Sequence, residues 1–214
     1  MAKLGRPRKL SKRLRIPSYS LEKNLRGEGF QSIAGVDEVG RGAWAGPLYA
    51  AAVILPEKRL YKIRDSKLLS REEREELAEK IKREAVGYGY GQVTVTELVE
   101  LGMHQGTLLA FKRALEELED FDYILTDYYR LEYLNRPSQN IVRGDQECLS
   151  VASASIIAKV ERDRVMTKIS KENPQYDLKH NKGYPSPAHQ QALRKFGPSL
   201  VHRPNFAPIK KLQI

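Results

Sequence analysis

The sequence predicts a layered α/β domain built on a mixed sheet. Two observations carry this. An apolar strand over 32–39 is followed closely by a second, 48–55, with no room for a helix between them. Strand and helix patterns then alternate to residue 170. The 214 residues suffice for one domain with a proper core.

The elements follow in order. Leu48–Leu55, Leu-Tyr-Ala-Ala-Ala-Val-Ile-Leu, is apolar at every position and is stopped by Pro56, the pattern of a strand covered on both faces. Ser70-Arg71-Glu72-Glu73 is a capping box: the Ser hydroxyl and the Glu three residues on satisfy each other's backbone amides, opening a charged helix to about Glu84. Val86–Val95 alternates Gly and Tyr and reads as a third strand. Thr96 is placed as the cap of a short helix, with a longer one over 105–118 whose Leu108, Phe111, Leu115 and Leu118 share a stripe. Tyr123–Asp127 and Asn140–Val142 are short strands. A long helix runs from Glu147 to about Ser170. Its small and apolar first half is expected in the core, and the charged Glu161-Arg162-Asp163-Arg164 in water. Residues 174–188 are irregular, and Ser186-Pro187 caps a helix to about Phe196.

Charge is unevenly spread. The chain carries a formal +10, but residues 1–26 hold nine Lys or Arg against Glu22, and 178–214 hold seven with no acid. The middle is mildly acidic. This suits a polyanionic partner and a site that gathers cations. Residues 1–28 are expected to be a flexible basic extension, with one domain over 29–214. The fragment Gly5-Arg6-Pro7-Arg8-Lys9 is similar to a minor-groove hook. A single cysteine, Cys148, excludes an intramolecular disulfide and a thiolate zinc site, and the four histidines lack paired ligand spacing. No apolar run is long enough to span a bilayer and no secretory leader is visible, so no membrane partner and a cytoplasmic location are expected.

Three apolar strands end in acid: Asp37-Glu38, Asp127 and Asp145, each beyond the core-forming residues. Asp127 could equally close a turn, and Asp145 could cap the helix behind it. Strands ending on one edge would gather them, and that many carboxylates could hold two divalent ions ~4 Å apart for displacement at phosphorus. All-oxygen donors favour Mg2+ or Mn2+. Gly40-Arg41-Gly42 follows at once, a turn where backbone can approach a ligand beside a fixed cationic fork.

Ala34–Pro47, Ala-Gly-Val-Asp-Glu-Val-Gly-Arg-Gly-Ala-Trp-Ala-Gly-Pro, resembles the signature of the ribonuclease HII family. So do Asp65–Ser70, Gly144-Asp145, Ser153–Val160, Arg162-Asp163, His180–Pro185 and His202-Arg203, in that order. The resemblance implies a ribonuclease H-like fold, with a mixed central sheet flanked by helices and a helical to irregular C-terminal portion that binds substrate. It implies a monomeric endonuclease acting on RNA–DNA hybrids and on duplex DNA containing ribonucleotides. It implies Asp37, Glu38, Asp127 and Asp145 as catalytic ligands of two divalent ions, and Gly40, Arg41, Gly42 and Tyr184 as the residues that contact substrate. Contact with a sliding clamp is not legible in the chain. Departures are Ala43-Trp44 after the turn, where Trp44 is either core or groove lining, and Tyr128-Tyr129 after Asp127, which makes Asp122 an alternative acid. His180 and His202 lie in basic segments and could meet phosphate. Competing readings are a resolvase-like nuclease, a non-catalytic basic module and a dinucleotide enzyme. The last requires a helix after Pro47, where the pattern gives a strand.

Overall fold

The computed structural model describes residues 16–57, 69–131 and 135–212. The Gly5–Lys9 fragment and the Asp65–Leu68 part of the signature lie outside these residues. Among the described residues five strands form one sheet: β1 Ile33–Val39, β2 Leu48–Ile54, β3 Gly87–Val93, β4 Tyr123–Asp127 and β5 Ser138–Ile141. Their spatial order is β3-β2-β1-β4-β5. The β1–β2 and β2–β3 pairs are antiparallel, while β1–β4 and β4–β5 are parallel, so the sheet is mixed as expected.

The eight helices among the described residues are α1 Ser20–Gly27, α2 Arg71–Glu84, α3 Val95–Glu116, α4 Gly144–Glu147, α5 Leu149–Glu172, α6 Leu178–Asn181, α7 Pro187–Phe196 and α8 Ala207–Lys210. A 3-10 turn covers Pro174–Tyr176. The unbroken apolar run of β2 is explained by its two covers. Leu48, Ala50, Ala52 and Ile54 pack with Ala110, Phe111, Ala114 and Leu115 of α3. Ala51 and Val53 pack with α5 and with Ala78 and Ile81 of α2. Each buried Leu, Ile, Val or Phe side chain contributes about 1.5–3 kcal/mol, and each alanine methyl about 0.8 kcal/mol. The Gly-Tyr alternation of β3 has a steric cause. A Cβ at Gly89 or Gly91 would strike the Ala114 or Ala110 carbonyl, so glycine lets α3 lie directly on the strand.

Several boundaries differ from the sequence reading: β5 is Ser138–Ile141, not 140–142, and the segment 174–188 expected to be irregular holds the 3-10 turn and α6. Thr94, not Thr96, caps α3, with Glu97 completing a capping box, and the helix is broken at Gly102 (φ 73°, ψ 168°). A separate turn, α4, precedes α5. The expected extension over 1–28 does not hold from residue 16 onward: Ser18 bridges Cys148, and α1 buries Leu25 against Ile33, Leu125 and Val151. Glu22 of α1 is 1% exposed and accepts from the Ser150 amide at 2.8 Å, capping α5 from another element because Cys148 at its N-cap supplies no cap.

Candidate active site

β1 runs parallel to β4, with Val36 opposite Thr126, so Asp37 and Asp127 leave the paired register side by side. Asp37 is 7% exposed; its Oδ1 accepts from the Glu38 amide at 2.8 Å, and the Ser155 hydroxyl of α5 donates to it. Burial pushes the Asp37 carboxyl well above the usual carboxylate range, and the charges of Glu38 and Asp127 push the same way. Burial also raises Glu38, opposed by Arg41 at 3.4 Å and reinforced by Asp127. Glu38 Oε2 is buried with no hydrogen-bond partner among the described residues. Asp127 Oδ1 accepts from the Gly144 amide at 3.0 Å, which sets the following residue, Asp145, in the first turn of α4 beside the same strand end.

The structure therefore brings Asp37, Glu38 and Asp127 within electrostatic reach, and fixes Asp145 by its backbone one residue beyond Asp127's partner. Among the described residues, no three acid, His or Cys side chains stand in a coordination shell. The cluster nonetheless suits a hard divalent cation: its donors are all oxygen, they repel one another, and a buried carboxylate oxygen is orphaned. Asp122, the alternative acid, lies at the opposite end of β4, where it accepts from the Gln31 and Ser32 amides.

The Gly40–Gly42 turn forms the adjoining wall. Gly40 has φ 97°, which a side chain would strain, and a Cβ there would meet the Arg162 guanidinium. Arg41 lies over the Tyr129 ring at 5.1 Å. Two arginines, each 1% exposed or less, hold the loop from beneath. Arg203 donates to the carbonyls of Gly40 (2.7 Å), Arg41 (3.1 Å) and Gly46 (3.0 and 2.8 Å). Arg162 donates to those of Ala45 (3.2 Å), Pro47 (3.1 Å) and Lys182 (2.9 Å). Burial lowers both, Arg203 to about 9. Arg162 thus contradicts the expectation that its segment emerges into water: α5 turns this position beneath the loop.

Tyr184 reaches the same wall. A Cβ on Gly42 would stand 3.9 Å from its Cε1, and the Arg162 guanidinium is 5.5 Å from its ring. Its carbonyl meets His189 Nδ1 at 2.9 Å, and His189 Nε2 meets His202 Nε2 at 3.1 Å. Burial lowers both imidazoles, His202 to about 4, so the pair is neutral structural support. His202 therefore is not a phosphate contact, and His180 is exposed and paired with Asp177 at 2.5 Å. Trp44 packs with Met166, Tyr176 and Leu193, the core reading, while its main chain bonds Gly183 and Arg203. Residues 48–54 form a strand, which removes the dinucleotide-enzyme reading.

Sequence reasoning assigned no role to Arg162, Arg203, Ser155 or Tyr129. A signal existed for the arginines, both of which fall in the quoted signature strings.

Residues 34–209 match the family described as Ribonuclease HII. The chain is 46% identical over 187 residues to a Ribonuclease HII of Caldanaerobacter subterraneus subsp. tengcongensis, covering 86% of this chain and 78% of the relative. It is 41% identical over 196 residues to that of Bacillus subtilis, covering 91% and 76%. In structure it is similar to ribonuclease H2 of Pyrococcus horikoshii, with TM-score 0.72, 25% identity, and coverage of 86% and 97%.

Proposed function

The chain belongs to the ribonuclease HII family, and within that family's hydrolysis of the RNA strand in RNA–DNA hybrids we propose a metal-dependent endonuclease that also cuts at ribonucleotides embedded in duplex DNA. The product would carry a 5′-phosphate and leave a free 3′-hydroxyl upstream. The observation that supports this most is the orphaned, buried Glu38 oxygen beside Asp37 and Asp127, directly joined to a rigid Gly-Arg-Gly loop.

Asp37, Glu38, Asp127 and Asp145 would hold two ions, Mg2+ or Mn2+. When bound, these ions supply the positive charge that activates an attacking water and stabilises the leaving 3′-oxygen. The protein's own part is position and discrimination. Ser155 orients the Asp37 carboxyl. Gly40 and Gly42 let main chain approach the sugar closely enough to meet a 2′-hydroxyl, the group that separates RNA from DNA. Arg41, steadied on Tyr129, faces the flanking phosphate, and Tyr184 packs on the neighbouring deoxyribose. Arg162 and Arg203 keep these groups in one geometry before substrate arrives.

The test is cleavage of a duplex with one ribonucleotide beside the same sequence in all DNA, in Mg2+ and in Mn2+, with labelled ends. Cutting confined to the ribonucleotide, dependent on either ion and lost in Asp37→Asn, is the expected result. Cleavage of an all-DNA junction at equal speed would favour the resolvase-like reading. Retained binding with no cleavage in either ion would favour a binding module.

A further inference from the structure

Tyr128 follows Asp127 at the end of β4, and its backbone is left-handed, with φ 68°. A residue carrying a Cβ is disfavoured there, and glycine or asparagine would hold the same turn at lower cost. The turn is nevertheless fixed from both sides. The Tyr128 amide donates to the Ile141 carbonyl at 3.2 Å, and its own carbonyl accepts from Asn140 Nδ2 at 3.4 Å. The Tyr129 amide closes back onto the Asp127 carbonyl at 2.8 Å, and the Tyr129 carbonyl accepts from the Thr126 hydroxyl. Burial does not offset the strain, because Tyr128 is 70% exposed. Its ring stands nearly perpendicular to that of Tyr129, with 5.6 Å between centroids. Tyr129 is buried, packs on Phe111 of α3 at 5.6 Å, and carries Arg41 of the Gly-Arg-Gly turn over its ring. The β4–β5 register sets Asp127 opposite Ile141, so Val142 leaves the sheet beside Tyr128, and it too is exposed. An outward aromatic held in a strained turn, next to an acid of the site, is not explained by folding.

The two layers of the fold each bring an aromatic to the acid edge. Tyr129 belongs to the core between the sheet and α3, and Tyr128 is mounted on it. Tyr184 stands on the other layer, 6.0 Å from Lys159 and 5.5 Å from Arg162 of α5. The ends of β1 and β4, with Asp37, Glu38 and Asp127, run between them. We propose that Tyr128 packs its ring on a nucleoside of the substrate duplex, on the α3 side of the acid cluster. The inference rests on the nuclease reading above and deepens it: the substrate is held from both layers, with the acids in the middle. Tyr128-Tyr129 is a departure from the ribonuclease HII strings, so this contact belongs to this chain in particular. A ring face accepts any base or sugar and neutralises no phosphate, so it adds affinity without sequence preference and without counterion release.

The experiment measures binding, so it is independent of whether the wild-type chain cleaves. Full-length protein carrying Asp37→Asn is titrated in Mg2+ with a fluorescent duplex containing one ribonucleotide, from low to moderate salt. Adding Tyr128→Asn removes the ring and keeps a residue that tolerates the left-handed turn. It should weaken binding about fivefold or more, the lower range for one aromatic packed on a base, with the salt slope unchanged. Its unfolding midpoint should stay level or rise, because the strain is relieved. Tyr128→Phe keeps the ring and should restore most of the affinity. Binding by Tyr128→Asn equal to its parent would show that the ring meets no substrate. A lowered midpoint accompanying the weaker binding would mark structural support only. A loss in Tyr128→Phe as large as in Tyr128→Asn would assign the effect to the hydroxyl. Each of these three results overturns the proposal. The cleavage comparison of the preceding section separately decides whether the nuclease reading itself stands.

Discussion

Asp37 and Arg203 are both buried charges serving the same short loop, and the fold treats them in opposite ways. Among the described residues, the Arg203 guanidinium donates only to main-chain carbonyls, those of Gly40, Arg41 and Gly46. Asp37 sits in a cluster where Glu38 and Asp127 repel it and a Glu38 oxygen has no partner among the described residues. The arginine wall is complete as folded. The acid wall is left with negative charge that a cation would resolve. A site that must discriminate gains from rigidity on one side, while a site that must take up ions gains from unmet demand on the other.

The largest effect should come from breaking the acid wall. Asp37→Asn is expected to lower cleavage at least about a thousandfold, equivalent to several kcal/mol. In chelator the same variant should raise the melting temperature, because it removes a buried charge from a repulsive cluster. A melting temperature that falls would show that Asp37 is already compensated. The Asp37 carboxyl is raised on folding, so the stability it contributes is present below its ordinary value of 3.8 and lost as pH rises through its folded value.

Breaking the arginine wall comes next. Arg203→Leu takes a donor from the Gly40, Arg41 and Gly46 carbonyls, of which Gly40 keeps the Ala43 amide at 3.2 Å, and should cost about 3 kcal/mol in urea unfolding. Gly42 and Tyr184 depend on this support, so discrimination between ribo- and deoxynucleotide should fall with it. A stability loss with undiminished discrimination would separate the loop from its support.

The pH response of the histidine pair has the opposite sign to that of Asp37. His202 is lowered to about 4 from 6.5, so its contribution is complete above pH 6.5 and disappears as pH falls toward 4. Urea unfolding should show a loss of about 2 kcal/mol between pH 7 and pH 5, and His202→Asn should flatten that slope. The smallest change expected is Gly40→Ala, about 1–2 kcal/mol from the positive φ and the contact with Arg162. Its unfolding midpoint, measured beside Arg203→Leu, shows how much of the wall's rigidity lies in the turn itself.

Much of this was legible in the chain. Two apolar runs gave β1 and β2, and Ser70 with Glu73 gave the start of α2 because capping is a local bond between near neighbours. The same rule, applied to Thr94 and Glu97, would have placed the start of α3 correctly. Arg162 was not legible: Arg-Asp-Arg reads as solvent-facing, and only the path of the 40–47 loop supplies the carbonyls that make its burial tolerable. Nor was Glu22 legible as a cap for α5, since 128 residues separate it from Ser150.

The sequence by itself determined the strands, the acids at their ends, the Gly-Arg-Gly turn and the family. Periodicity, capping and turn chemistry act over a few residues and are written where they act. Only the tertiary structure decided that Asp37, Glu38 and Asp127 repel one another beside α4, that Asp122 is at the wrong end of its strand, and that two arginines lie beneath the loop. Those facts depend on burial and on Coulomb interactions through space, which arise only when distant segments are packed together.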